Sequence, residues 1–215
     1  MKTLLSFFLL YLFIYPAFAQ TFRPDLHSPD IWNVTNRKTE TLTESGKKVL
    51  RVSEAVEDGL VTLKDYSFVD GTIELDVKGR NVLQKSFVGV AFHVQDAKHY
   101  EVVYFRPFNF MNPDTARRLR AVQYVSMPDH PWEKLRADSP GKYEKRVNPV
   151  PDPEDWFHAK IVVAGKSVKV FVNNSPTPCL EVERLSSATT GSIALWVGNT
   201  SNGSFANLVV TTAKK

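Results

Sequence analysis

The run Phe87-Val88-Gly89-Val90-Ala91-Phe92-His93-Val94 is followed, after Gln95-Asp96-Ala97-Lys98, by His99-Tyr100-Glu101-Val102-Val103-Tyr104-Phe105-Arg106. Both runs are rich in Val, Phe and Tyr and the link between them is short and polar. The spacing therefore predicts two antiparallel strands joined by a tight turn. In the first, Val88, Val90, Phe92 and Val94 alternate with Gly89, Ala91 and His93. Alternation of period two gives a strand two chemically different faces. In the second, Tyr100, Val102, Tyr104 and Arg106 share one face, and His99, Glu101, Val103 and Phe105 share the other. The pattern leaves open which face meets the core, and it places Gly89, Ala91 and His93 together on one face of the preceding strand.

The same grammar recurs in both directions along the chain. Short β-branched and aromatic runs bounded by Gly, Asn, Asp, Ser or Pro predict strands near 49–53, 59–63, 71–77, 120–126, 157–163, 167–172, 191–197 and 204–211. Only 113–121, which opens on Pro113 and Asp114, has room for a turn or two of helix. Many strands, little helix and no βα alternation predict an all-β, two-sheet antiparallel sandwich and exclude a doubly wound fold. Between Met127 and Asp155 lie Pro128, Pro131, Pro140, Pro149, Pro151 and Pro153. Proline lacks the amide donor of a central strand, so this stretch reads as a long proline-rich loop. Its Trp132 and charged residues suit a loop over a binding site, and its prolines suit a flap over a sheet edge.

The start of the chain reads as a signal peptide. Lys2 precedes an apolar run from Leu4 to Tyr15, Pro16 breaks that run, and Ala17-Phe18-Ala19 follows as a small-residue cleavage site. The run is shorter than the roughly 20 residues of a spanning helix. The expected organisation is a signal peptide over 1–19 and one β-sandwich domain over 20–215, secreted or periplasmic, monomeric and without a membrane anchor. The formal charge is +4, from 27 basic and 23 acidic residues that are interspersed, which does not suit a nucleic-acid partner. Cys179 is the only cysteine, so no disulfide forms within the chain and the thiol reads as packing. The five histidines show no close metal-ligand spacing and no cofactor motif is present, so no transition metal and no cofactor is expected, while the sequence leaves open a calcium site built from scattered loop oxygens.

The candidate site gathers polar residues set in otherwise apolar strands, where each needs a partner. His93, Glu101, Tyr104 and Arg106 come from the hairpin, and Gln123 and Tyr124 from a neighbouring strand. Trp132 and His158 are expected to close one side from the proline-rich loop and its exit. Aromatic rings suit the C–H faces of a pyranose, and planar amides, carboxylates and guanidinium groups suit its hydroxyls. Glu101, with His93 or His158, is the best acid–base set. Tyr104, Arg106, Gln123, Tyr124 and Trp132 form the substrate-binding set. The competing reading is a buried salt-bridge network, Glu101 with Arg106 or Arg120, that holds the sheets in register. Trp156 and Trp196 read as core residues.

Across nearly all of the chain after residue 19, the order of strands resembles the concanavalin A-like lectin/glucanase superfamily. The resemblance is carried by Val69-Asp70-Gly71-Thr72-Ile73-Glu74-Leu75-Asp76-Val77 and Phe87-Val88-Gly89-Val90-Ala91-Phe92-His93. It continues through Asp155-Trp156-Phe157-His158, Gly191-Ser192-Ile193-Ala194-Leu195-Trp196 and Phe205-Ala206-Asn207-Leu208. Laminin-G-like domains and 3-keto-disaccharide hydrolase-like domains show the same order. The resemblance implies a jelly roll whose concave sheet holds carbohydrate. In the keto-sugar group a G-[IV]-x-F-R strand precedes a [GH]-Y-E-[VY]-Q strand. Here Glu101 matches, His93 stands for the arginine and Val103 for the glutamine. Glu74-Leu75-Asp76 resembles the start of the E-[IL]-D-x-x-E strand of family 16 glycoside hydrolases, but no second glutamate follows, and that two-carboxylate mechanism lacks its acid. The implied function is a carbohydrate-active or carbohydrate-binding protein, either a keto-disaccharide-type sugar hydrolase, a non-catalytic glycan-binding module or a laminin-G-like protein-interaction domain. One expectation is checked directly: N-terminal sequencing of the exported protein should begin at Gln20, and a start upstream of residue 17 would refute the cleavage site.

Overall fold

A computed structural model describes residues 19–44 and 46–213; of the signal peptide read over 1–19, residues 1–18 lie outside the described residues. Among the described residues fifteen strands run in chain order: β1 (Ala19–Phe22), β2 (Trp32–Thr35), β3 (Thr39–Glu44), β4 (Lys47–Val52), β5 (Gly59–Leu63), β6 (Gly71–Lys78), β7 (Val88–Val94) and β8 (Tyr100–Phe105). They continue with β9 (Val122–Met127), β10 (Glu144–Lys145), β11 (Phe157–Ala164), β12 (Ser167–Val172), β13 (Leu180–Glu183), β14 (Ser192–Val197) and β15 (Gly203–Ala213). Two short helices, α1 (Thr115–Arg118) and α2 (Trp132–Asp138), lie on either side of β9 in sequence. One sheet has the order β13-β12-β11-β6-β15-β4-β3, with β1 added along β15; the other has the order β10-β9-β8-β7-β14-β5-β2. Every named pairing is antiparallel. The expected two-sheet antiparallel sandwich of jelly-roll type is the observed architecture.

The two sheets use period two differently. In the first, Ile73, Leu75 and Val77 of β6 and Ala159, Ile161 and Val163 of β11 are buried, while Glu74, Asp76, His158 and Lys160 between them face outward. In the second, every residue of β7 and β8 is buried, because both faces are covered. The inner face packs on the first sheet. The outer face lies under the segments that flank α1 and α2, and this is where a cleft forms.

Register decides which side chains meet there. Tyr104 of β8 and Trp196 of β14 both stand opposite Gly89 of β7. The two rings approach to 5.0 Å between centroids across the glycine that separates their strands. A Cβ on Gly89 would come within 2.6 Å of Tyr104 Cα. Further along β7 the backbone bulges: His93 has φ 49° and the register against β14 shifts between Ser192 and Ala194. This corrects the expectation that Gly89, Ala91 and His93 share a face. The bulge turns His93 inward with Phe92, onto the face that carries Glu101.

The proline-rich stretch is not all loop. It holds α2, which follows Pro131, and the two-residue edge strand β10. Its edge position agrees with the reading that no central strand could lie there. The expected helix over 113–121 is the single turn α1, whose first amides are capped by Asp114, accepting from Ala116 N at 2.8 Å. Polar edge strands such as β3 (Thr39-Glu40-Thr41-Leu42-Thr43-Glu44) show no apolar alternation and were not foreseen. Replacing Gly89 by valine should lower stability by about 1–3 kcal/mol through overpacking. Thermal unfolding checks this, and an unchanged Tm would refute the close approach.

Candidate functional site

The cleft on the outer face of the second sheet encloses ≈ 870 Å³, within the range of small-molecule sites. Its floor is the outward set of β8, Tyr100, Val102 and Tyr104, with Arg106 just beyond the strand and Trp196 from β14. Phe87, Phe108 and Asn109 form one wall, and Trp132 and Arg136 of α2 form another. Pro131 starts α2, and Arg136 lies one helical turn beyond Trp132, so its guanidinium rests 4.6 Å from the Trp132 ring. Trp132 is nevertheless 41 % exposed, which leaves ring surface for a ligand.

Arg106 is buried against Tyr104, its guanidinium carbon 4.8 Å from the ring centroid. It donates to Tyr104 Oη at 2.7 Å, to the Arg120 carbonyl at 2.9 Å and to Gln123 Oε1. Tyr104 Oη in turn donates to Gln123 Oε1 at 3.0 Å. Burial pushes the Tyr104 phenol up to about 12 and lowers the pKa of Arg106. At the other end of the floor, Trp196 Nε1 donates to Tyr100 Oη at 3.3 Å, and Tyr100 donates to Asp58 at 3.1 Å. Burial holds the Asp58 carboxyl above the usual carboxylate range, although the Tyr100 hydrogen bond works against it. Asn109 Oδ1 is buried without a partner among the described residues, while its amide nitrogen donates to the Arg120 carbonyl at 3.0 Å.

The residues singled out from the sequence fall in three places. Tyr104, Arg106 and Trp132 line the cleft, and Gln123 lies beside them, bonded to both Tyr104 and Arg106. His93, Glu101 and Tyr124 lie on the inner face of the same strands, between the sheets. Alternation along β8 and β9, together with the bulge at His93, puts them there. His158 stands on the outward face of the other sheet, where its Nδ1 meets Asp76 at 3.0 Å and raises the histidine pKa. The three places do not form one pocket.

The inner cluster centres on Glu101, which is fully buried. Its partner is Arg184, from the segment after β13, rather than Arg106 or Arg120: Arg184 Nε donates to both carboxylate oxygens at 3.0 and 3.1 Å. Tyr124 donates to the same carboxylate, and His93 Nδ1 lies 2.9 Å from it. Burial opposes ionisation of Glu101, but the close contact with His93 and the hydrogen bonds donated by Arg184 and Tyr124 outweigh it and hold the carboxyl below its ordinary range. Where the keto-sugar pattern has an arginine this chain has His93, and the guanidinium beside Glu101 comes from position 184.

A family model for the 3-keto-alpha-glucoside-1,2-lyase-like domain matches residues 25–211. The chain belongs to this family. No curated protein matches it in sequence. Solved structures share the lyase-like domain's fold at low identity. The carbohydrate binding module CBM66 from Bacillus subtilis is 16 % identical with TM-score 0.54, covering 83 % of this chain and 97 % of its own. A putative glycosyl hydrolase from Parabacteroides distasonis is 14 % identical with TM-score 0.54, covering 86 % and 89 %. The VIP36 exoplasmic/lumenal domain in its Ca2+/Man3GlcNAc-bound form is 9 % identical with TM-score 0.56, covering 90 % and 91 %.

Asp58 and Tyr100 were missed in the sequence because Glu57-Asp58-Gly59 reads as a turn and Tyr100 as one more strand aromatic. Trp196 read as core; it is buried, yet its ring forms part of the cleft floor. The inner cluster gives a direct test. Glu101→Ala strands the Arg184 charge and should cost about 3–5 kcal/mol. Because the folded pKa of Glu101 is depressed, its contribution is present above the unfolded value of about 4.3 and is lost as pH falls through the folded pKa. The stability gap between wild type and Glu101→Gln should therefore close in acid. Equal stability of the two proteins at neutral pH would overturn the pairing.

Proposed function

We propose that the chain binds a carbohydrate in the outer-face cleft of the second sheet. The observation that carries this reading is an aromatic floor, Tyr104 against Trp196, in the same cleft as a buried acceptor without a partner, Asn109 Oδ1. Aromatic faces take the C–H side of a sugar ring, and a lone buried acceptor is satisfied by a ligand hydroxyl. Membership of a keto-glucoside lyase-like family supports a sugar ligand, as does the shared fold with a carbohydrate binding module and a Man3GlcNAc-bound domain. Tyr104, Arg106 and Trp132 are the binding residues in this reading, with Gln123 fixing Arg106. The protein acts outside the cytoplasm after removal of residues 1–19.

A second reading, cleavage of the bound sugar, is favoured by Asp58. Its carboxyl lies in the cleft wall, is disposed to hold a proton by burial, and is oriented by Tyr100. In that role it protonates the leaving oxygen as the glycosidic C–O bond breaks, and solvent water adds to the anomeric carbon and restores the proton. Glu101, His93 and Tyr124 then serve the fold, and His158 lies apart from the reaction.

A glycan-array screen with product analysis of each hit tests both readings. The wild type should retain at least one glycan. Trp132→Ala, at an exposed position, should weaken that binding by roughly tenfold or more with little change in Tm. Asp58→Asn should remove any turnover while binding persists. Retention of no glycan, or full binding by Trp132→Ala, would overturn the cleft assignment.

A further inference from the structure

The cleft is electrically lopsided along its length. Tyr100 and Arg106 are six residues apart along extended backbone, roughly 20 Å. Asp58 therefore stands at one end and Arg106 at the other. At the Arg106 end three guanidinium groups converge on one carboxylate, Glu144, which is 5 % exposed. Arg136 holds it with two hydrogen bonds, Nε to Oε1 at 2.9 Å and Nη2 to Oε2 at 2.7 Å. Arg106 and Arg120 approach the same group only to 3.8 and 3.7 Å. Glu144 thus answers one cation and leaves two in excess.

The four arginines lining the cleft are not equally free. Arg106 and Arg136 spend donors on protein groups, as described above. Arg120 has a side chain 44 % exposed and its guanidinium makes no hydrogen bond among the described residues. Arg117, one turn earlier, is half-buried and has only Asp114 near it, at 3.7 Å. The acidic groups that line the cleft are Asp58 at the far end, Asp114 beside Arg117, and Glu133 on α2.

The orphan acceptor belongs to the same corner. Asn109 is 4 % exposed, and its amide nitrogen and Arg106 Nη1 both donate to the Arg120 carbonyl. Turning the amide over would break the first of those bonds, so Oδ1 stays an acceptor and asks for a donor from outside. A fully deprotonated inorganic anion such as sulfate or chloride cannot supply one. A ligand that fits this corner brings a hydroxyl donor and, close to it, a negative charge.

We propose that the ligand is an acidic carbohydrate, whose carboxylate or sulfate is held by Arg120 and Arg117 while a neighbouring hydroxyl donates to Asn109 Oδ1. This rests on the sugar-binding reading above and adds the chemical class. Arg is suited to the task because its planar fork matches a carboxylate or sulfate with two parallel hydrogen bonds.

Calorimetric titration of the exported protein tests it with four probes: a uronic-acid oligosaccharide, the same oligosaccharide with its carboxyl groups reduced to alcohols, a sulfated oligosaccharide, and its desulfated form. At low ionic strength at least one charged probe should bind roughly tenfold or more tighter than its neutral counterpart, and the difference should shrink as salt is added. Which charged probe wins identifies the anion. Arg120→Ala should collapse the charged-to-neutral ratio, and Arg120→Lys should restore only part of it. Equal affinity for a charged probe and its neutral form would overturn the acidic class and leave the sugar-binding reading standing. Failure of all four probes, with the array also empty, would overturn both.

Discussion

Glu101 is an ionised side chain enclosed between two sheets, and much of the molecule is arranged around that fact. A carboxylate there costs several kcal/mol to bring out of water and is held only by complete pairing. Arg184, Tyr124 and His93 supply it. Arg184 also donates to the carbonyls of Gly165 and Ala188, and Leu185 N donates to Tyr124 Oη. The chain leaving β13 is thereby fastened across the sandwich. The same constraint sets the phase of β8. With Glu101 inward, period two sends Tyr100, Val102 and Tyr104 outward, and with Arg106 just beyond the strand they form the floor of the cleft.

On that floor two properties are joined. Gly89 supplies no side chain between Tyr104 and Trp196, so the rings of strands on either side of β7 come together into one apolar plate. Around the plate the polar groups are fixed by one another: Arg106 by Gln123 and Tyr104, Tyr100 by Trp196, Arg136 by Glu144. Fixed groups lose little freedom when a ligand arrives, which favours recognition by a preformed site. Asn109 Oδ1, Gln123 Nε2 and the guanidinium groups of Arg117 and Arg120 differ, making no hydrogen bond among the described residues.

The central strands were legible because their alternation is strong. Ile73, Leu75 and Val77 against Glu74 and Asp76 could be read without a structure, and so could the class of fold. The edge strands were not, because β3 and β10 carry polar residues on both faces and have no apolar period to detect. The cleft was legible in part. Tyr104, Arg106, Gln123 and Trp132 were chosen for their chemistry and do meet. His93 was lost to a bulge, which alternation cannot foresee, and Tyr124 to the fact that adjacent residues on a strand face opposite ways. Arg184 lies 83 residues from Glu101, and nothing local announces that they pair. His158 shares its strand with core residues but points to the outer surface of the other sheet, a matter of which sheet the strand joins.

The four tryptophans are divided among these environments in a way that gives the molecule an optical readout. Trp32 is buried in the core, and Trp156 stands on the outward face of the first sheet with the ammonium groups of Lys47 and Lys78 over its ring. Trp132 and Trp196 share the cleft, one half-open on α2 and the other in the floor. Any molecule that settles against them changes the polarity around two of the four indoles and leaves the other two untouched. Occupancy of the cleft is thus written into the intrinsic fluorescence of the unlabelled chain, with Trp32 and Trp156 as an internal reference.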